Sequence, residues 1–257
     1  MPALSERGGV RRPADVRAAA QVFVPDLGAL EVTSDDLHHL KRVMRLRRGE
    51  TVIACDGRGN WRTCLFTDST DPSRLIEADG VIEHVPAPEV PVVVGFVPVK
   101  GERPEWTVQK LTEVGVDRIV LLHSTRAVVR WGEGREEHAV ERLRRVTSQA
   151  AAQSRRAWLA ELIGVVSLAE LRALVAPAGL ALAQPGADPP TSAVTAVAVG
   201  PEGGWEASEL DGADRCMGLG LGILRAETAA VTAGFILCAL RDGLVRPVGT
   251  ARSGLGP

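Results

Sequence analysis

AVTAVAV (193–199) runs without a break into GPEGG (200–204), and this junction decides the fold. A continuous apolar run marks a strand buried on both faces of a parallel sheet. The glycine-rich turn after it lets backbone approach a neighbour or ligand closely. A short helix is expected to begin near Trp205. Working outward, VVVGFVP (92–98), RIVLLH (118–123) and LALA (180–183) read as further buried strands, and GILRA (222–226) as a last short extended piece. Between them the sequence predicts helices. One has Pro104 near its first turn and Gly115 just past its end. A long one covers 135–153, and a mostly apolar one covers 228–242 and ends at Gly243. Strands alternating with helices imply an α/β domain with a parallel sheet over 92–250.

The amino-terminal part has another character. HVPAPEVP (84–91) holds three prolines, so 86–91 is read as a linker. Before it, 51–55, 61–66 and 74–83 read as short strands, with a hairpin around DGRGN (56–60). Residues 17–85 are therefore expected to form a small, mostly β domain, and 1–16 and the closing ARSGLGP to be disordered.

Composition narrows the function classes. The chain has 257 residues, 45% hydrophobic and 24% charged, with a formal net charge of −2. That excludes a surface that is basic throughout and leaves room for a local basic face. The longest apolar stretch, 90–99, is interrupted by Pro91 and Pro98 and is too short to span a bilayer. The first residues lack the apolar core of a signal peptide. A soluble, cytoplasmic protein without a membrane partner is expected. The four cysteines (Cys55, Cys64, Cys216, Cys238) have no metal-ligand spacing, so no metal site is expected and the thiols read as reduced and partly buried.

GPEGG lacks a Walker lysine and the full GxGxxG spacing, and alone it could be a turn with no ligand. MGLGLGILRAETAA (217–230) widens the reading. Its glycines, arginine and glutamate could be a loop and a helix start, with Glu227 and Thr228 in the first turn. They could equally form a second ligand-wrapping loop, with backbone groups reading an adenine edge and Arg225 pointing at a substrate.

GPEGG with LRAETA resembles the SPOUT class of methyltransferases. Within it the chain is similar to the RsmE-type family, which methylates N3 of a uridine in 16S ribosomal RNA. HHLKRVMRLRRGE (38–50) with DGRGN, KLTEVGVDRI (110–119), HSTRA (123–127) and AAAQSRR (150–156) follow in the family's order. The chain departs from that pattern at Ala127, Ala152 and Ala160. The resemblance implies a PUA-like β-barrel that helps hold RNA, a SPOUT parallel sheet with a carboxyl-terminal trefoil knot, and a homodimer.

It also implies S-adenosyl-L-methionine (SAM) as cofactor, held by Gly200, Pro201, Glu202, Gly203, Gly204, Leu219, Gly220, Ile223 and Leu224, mainly through backbone groups. Arg225 would stabilise negative charge on the uracil carbonyls, since a guanidinium is always charged. Glu227 would act as general base or orient Arg225. The partner would be 16S ribosomal RNA or the assembled small subunit. Candidate RNA contacts are Arg42 and Arg45, expected to share one face of a helix that Leu37, Leu40, Val43, Met44 and Leu46 anchor. Arg142, Arg145, Gln153 and Arg156 on the 135–153 stripe, and Arg126, are the others. A solvated charged face is the alternative for both patches. Lys110 and Glu113 read as an intrahelical ion pair. A SPOUT enzyme acting on transfer RNA or on a ribose hydroxyl, and an inactive RNA-binding protein, stay open as alternatives.

Overall fold

A computed structural model describes residues 10–98, 103–124, 134–211 and 213–246. The chain divides into two compact units. One holds the chain up to Pro88 together with Ser148–Leu159, the other Glu89–Thr147 and the chain from Ala160 onward.

The first unit is built on strands β1 (Ala20–Phe23), β2 (Thr51–Cys55), β3 (Asn60–Phe66), β4 (Ile76–Ala78) and β5 (Glu83–His84). They pair in the order β1-β2-β3-β4, with β5 also on β3 and β1 parallel to β2. Side chains alternate across the sheet. Val22, Val52, Ala54, Cys64 and Phe66 pack on one face. Ile53, Cys55 and Trp61 pack on the other with Ala157 and Trp158. The DGRGN turn seats this second segment. Gly59 donates to the Ala157 carbonyl, and a Cβ at Gly59 would lie 2.4 Å from the Val85 carbonyl oxygen and 2.6 Å from Trp158 Nε1. Residues 10–16, expected within a disordered tail, are instead ordered here. Pro13 is buried, Val16 packs against the second face, and Arg11 pairs with Glu83 and lies over the Trp61 ring.

The basic segment differs from its expected helix. Helix α1 (Ser34–His38) is capped by the Thr33 hydroxyl and passes into a π-helical turn, His39–Val43, which the Met44 N–H closes on the His39 carbonyl. The wider turn shifts every later side chain away from its α-helical bearing. Leu40 is buried and Leu37 and Leu46 pack against the core, but Val43 and Met44 stand exposed rather than anchoring the segment. Arg45 takes the left-handed region (φ 56°) and so does not share a helical face with Arg42.

The second unit is a six-stranded sheet of β6 (Val93–Phe96), β7 (Arg118–Leu122), β8 (Glu161–Val166), β9 (Ala181–Ala183), β10 (Ala196–Val199) and β11 (Arg215–Met217), in the order β11-β9-β10-β6-β7-β8. Every pairing is parallel. Helices α2 (Arg103–Glu113), α3 (Arg135–Gln153) and α6 (Ala226–Arg241) supply apolar residues to one face. There Val94, Ile119 and Val197 meet Leu111, Leu143 and Leu237. Helices α4 (Leu168–Val175) and α5 (Ala207–Asp211) lie on the other, where Val93, Val120 and Ala198 meet Leu171 and Leu210. Strands covered on both faces must be apolar at every position, which is why the central four read clearly. GILRA is not a strand: 222–225 are loop, and Arg225 is the N-cap of α6.

Cys55, Cys64 and Cys238 are buried and Cys216 is exposed. Burial pushes the Cys55 thiol up to about 12 and the Cys64 thiol up to about 11. Both stay neutral and shielded at pH 8, so a thiol reagent should titrate one group, Cys216, in native protein and all four after denaturation. Rapid native labelling of Cys55 or Cys64 would contradict this packing.

Candidate active site

In an open parallel sheet, ligands bind beyond the carboxyl ends of the strands. Here the ends of β9 and β10 lead into Gln184–Pro185 and into GPEGG. The loop from Leu219 to Leu224 comes to the same place. Together they line a cleft that is partly open to solvent.

The cleft brings together Gly200, Pro201, Glu202, Gly204, Leu219, Gly220, Ile223 and Leu224 of the expected cofactor set. Gly203 is exposed and is not among the lining residues. The structure adds Ala183, Gln184, Pro185, Val199, Trp205 and Gly222 from the strand ends and loops. The carboxyl end of LALA was the signal that could have pointed to Gln184 and Pro185. Ala226 and Ala229, small residues on the first turn of α6, also line the cleft.

Two local features shape the cradle. The Trp205 ring is buried beneath Gly200, where a Cβ would meet it at 3.0 Å, and its Nε1 donates to the Ala183 carbonyl at 3.3 Å. Gly204 (φ +69°) and Gly220 (φ +145°) take backbone conformations that L side chains rarely adopt, with nothing within 4 Å of an added Cβ. Open space beside bare backbone, with Leu219, Ile223 and Leu224 around it, suits a flat heteroaromatic ring read by backbone groups.

Arg225 follows the cleft-lining Leu224. It is exposed, its backbone carbonyl accepts from the Ala229 N–H at 2.8 Å, and its side chain makes no ion pair among the described residues. Glu227 is different. Its side chain is only 12% exposed, Oε1 lies 3.4 Å from Arg103 Nη1, and Oε2 is buried without a hydrogen-bond partner. The same Arg103 nitrogen is 3.9 Å from Glu202 Oε1. No motif had marked Arg103.

The basic residues separate by their partners. Lys41 is committed to the 68–69 loop through the Asp68 carboxylate and the backbone carbonyls of Asp68 and Ser69. Arg42 and Arg45 are exposed. On α3, Arg142 pairs with Glu105 of α2, whereas the Arg145 and Gln153 side chains are exposed. Arg156 is half-buried and its carbonyl accepts from Gln21 Nε2 at 2.7 Å. Arg126 lies outside the described residues. Lys110 and Glu113 form the expected ion pair at 2.7 Å.

A parallel sheet with this cleft, in a chain that also carries a separate β-rich unit, defines the class. Residues 86–237 match the RNA methyltransferase domain and residues 32–76 the RNA methyltransferase PUA domain. The chain belongs to the ribosomal RNA small subunit methyltransferase E family. It is 31% identical over 230 residues to that enzyme of Mycobacterium bovis, covering 82% of this chain and 86% of the relative. It is 30% identical over 219 residues to that of Synechocystis, covering 79% and 70%. The crystal structure of the Neisseria gonorrhoeae enzyme, bound to S-adenosyl methionine, superposes with a TM-score of 0.72 at 24% identity, over 86% of this chain and 97% of that one. Among the described residues no helix is long and apolar enough to cross a membrane, and no group of three or more His, Cys, Asp or Glu could hold a metal.

Proposed function

We propose that the chain methylates N3 of a uridine in 16S ribosomal RNA, with SAM as methyl donor. The observation that carries this reading is the convergence of GPEGG and the 219–224 loop on one cleft at the carboxyl ends of β9 and β10. Gly200, Pro201, Glu202, Gly204, Leu219, Gly220, Ile223 and Leu224 would hold the cofactor, with Gly203 shaping the turn. When bound, SAM supplies an electrophilic methyl group on a sulfonium centre.

Uridine N3 carries a proton and becomes a good nucleophile only as that proton leaves. Negative charge then builds on the uracil carbonyls. Arg225 is free to meet that charge from the rim of the cleft, at the positive end of α6. Glu227 faces Arg103 and is enclosed, so we assign it to holding the helix start rather than to removing the proton.

Arg42, Arg45, Arg145 and Gln153 are the proposed RNA contacts, joined by Arg126 and Arg156 at family positions. Arg142 is tied to Glu105, so Arg145→Ala should weaken RNA binding more than Arg142→Ala does. Filter binding across a salt series checks this, and the Arg145 variant should also show the shallower salt slope.

The knot, the homodimer and a cytoplasmic location belong to the same proposal. The exposed apolar side chains of Leu221, Ile223 and, on α6, Phe235 support a second copy covering them. Light scattering tests the dimer. Nucleoside mass spectrometry of 16S RNA and of assembled small subunits, before and after incubation with enzyme and SAM, tests the reaction. 3-Methyluridine is the expected product, and its absence from both would overturn the substrate.

A further inference from the structure

Arg103 lies about a hundred residues before the two cofactor loops in sequence, and it is the one described cation paired with both Glu202 and Glu227. It opens α2, and its Nη1 stands 3.4 Å from Glu227 Oε1 and 3.9 Å from Glu202 Oε1. Glu202 lies in GPEGG and lines the cleft. Glu227 follows the second loop in the first turn of α6. Two carboxylates against one guanidinium leave the trio with one net negative charge. Removing the cation would leave Glu227 enclosed with no counter-charge and set two like charges against each other across the loops. A carboxylate already short of one hydrogen bond at Oε2 is poorly placed to lose its cation as well.

We propose that Arg103 is a positioning residue of the methyl-transfer site. It pins GPEGG to the start of α6 through Glu202 and Glu227, fixes the spacing of the two loops, and so sets SAM affinity without touching the reacting atoms. The affinity part rests on the methyltransferase reading above. The pinning part does not, and it can be measured in free protein.

The test compares Arg103→Met, which keeps length and loses charge, with Arg103→Lys. Amide hydrogen exchange of the free protein should show 200–204 and 219–227 both opening faster in Arg103→Met, by about tenfold, with the Lys variant close to wild type. Calorimetry should show the SAM Kd rising by about the same factor, while kcat at saturating SAM changes little. In a Glu202→Gln, Glu227→Gln background, Arg103→Met should add almost nothing. Unchanged exchange in either loop would overturn the proposal. So would faster exchange with an unchanged Kd, or a full Arg103→Met effect in the double-glutamine background. If wild type bound no SAM, the methyltransferase reading would fall, and the exchange data would still decide whether Arg103 ties the loops.

Discussion

Arg225→Ala is expected to lower methyl transfer by about a hundredfold or more while leaving the SAM Kd within a few-fold of wild type, since removing one donor aimed at developing charge typically costs that much. Its setting argues for a substrate-directed role. The residue terminates the cleft-lining 219–224 loop in extended backbone (ψ 153°), and its own carbonyl begins α6. Its side chain neither caps the helix nor enters an ion pair among the described residues. A cation left unpaired beside a cleft has not been committed to the fold, so losing it should cost little stability. Arg103, with two carboxylates nearby, shows the contrasting case. Arg225→Lys should recover only part of the rate, because an ammonium keeps the charge but lacks the planar fork of donors. Single-turnover measurements at saturating SAM, with the Kd from calorimetry, separate the two effects. Normal turnover by Arg225→Ala would remove the residue from the mechanism.

What could be read in the sequence follows from where each residue is buried. The central strands β6, β7, β9 and β10 are covered on both faces, so their apolar runs are unbroken and legible. The edges were not. ELIGVV (161–166) carries Gly164 at its middle and is mostly half-buried, and Arg215 and Cys216 of β11 are exposed. Neither gives a continuous signal. GILRA was apolar enough to pass for a strand, yet Ile223 is exposed on a loop, and apolarity alone does not say whether a side chain faces the core or solvent. In the basic segment, helical spacing was a fair guide up to His38. The π-helical turn then displaced Val43, Met44 and Arg45, and no spacing rule anticipates the added residue in that turn. The cleft itself was legible because both loops carry compact glycine motifs. Arg103 was not, because its partners at 202 and 227 leave no local pattern. Likewise, nothing in the 148–159 segment announces that it packs with the strands of the first unit.

Gly218→Val should abolish SAM binding at micromolar concentrations, with an affinity loss of about a hundredfold or more, although Gly218 is not among the cleft-lining residues. A Cβ at this position would lie 2.2 Å from the Ala187 carbonyl oxygen and 3.1 Å from its carbon. Those are backbone atoms, so no side-chain rotation relieves the clash. The two loops are also stitched together: Gly218 N–H donates to the Asp188 carbonyl at 2.7 Å, and Gln184 N–H to the Met217 carbonyl at 3.0 Å. Separating them gives up those bonds, at about 1 kcal/mol each, on top of about 1–3 kcal/mol of overpacking. The displaced backbone continues directly into Gln184 and Pro185 on one side and Leu219 and Gly220 on the other, all of which line the cleft. The total is about 3–5 kcal/mol, and its lower end already corresponds to about a hundredfold in Kd. Gly164→Ala, on the edge strand β8, is the matched control: its added methyl would meet Val140 at an ordinary 3.9 Å, and SAM affinity should be unchanged. Calorimetry with SAM, alongside thermal unfolding to confirm that the variant is folded at the assay temperature, decides the matter. If folded Gly218→Val bound SAM as wild type does, the close seam between the 184–188 and 217–218 loops would not be what holds the cofactor cleft in shape.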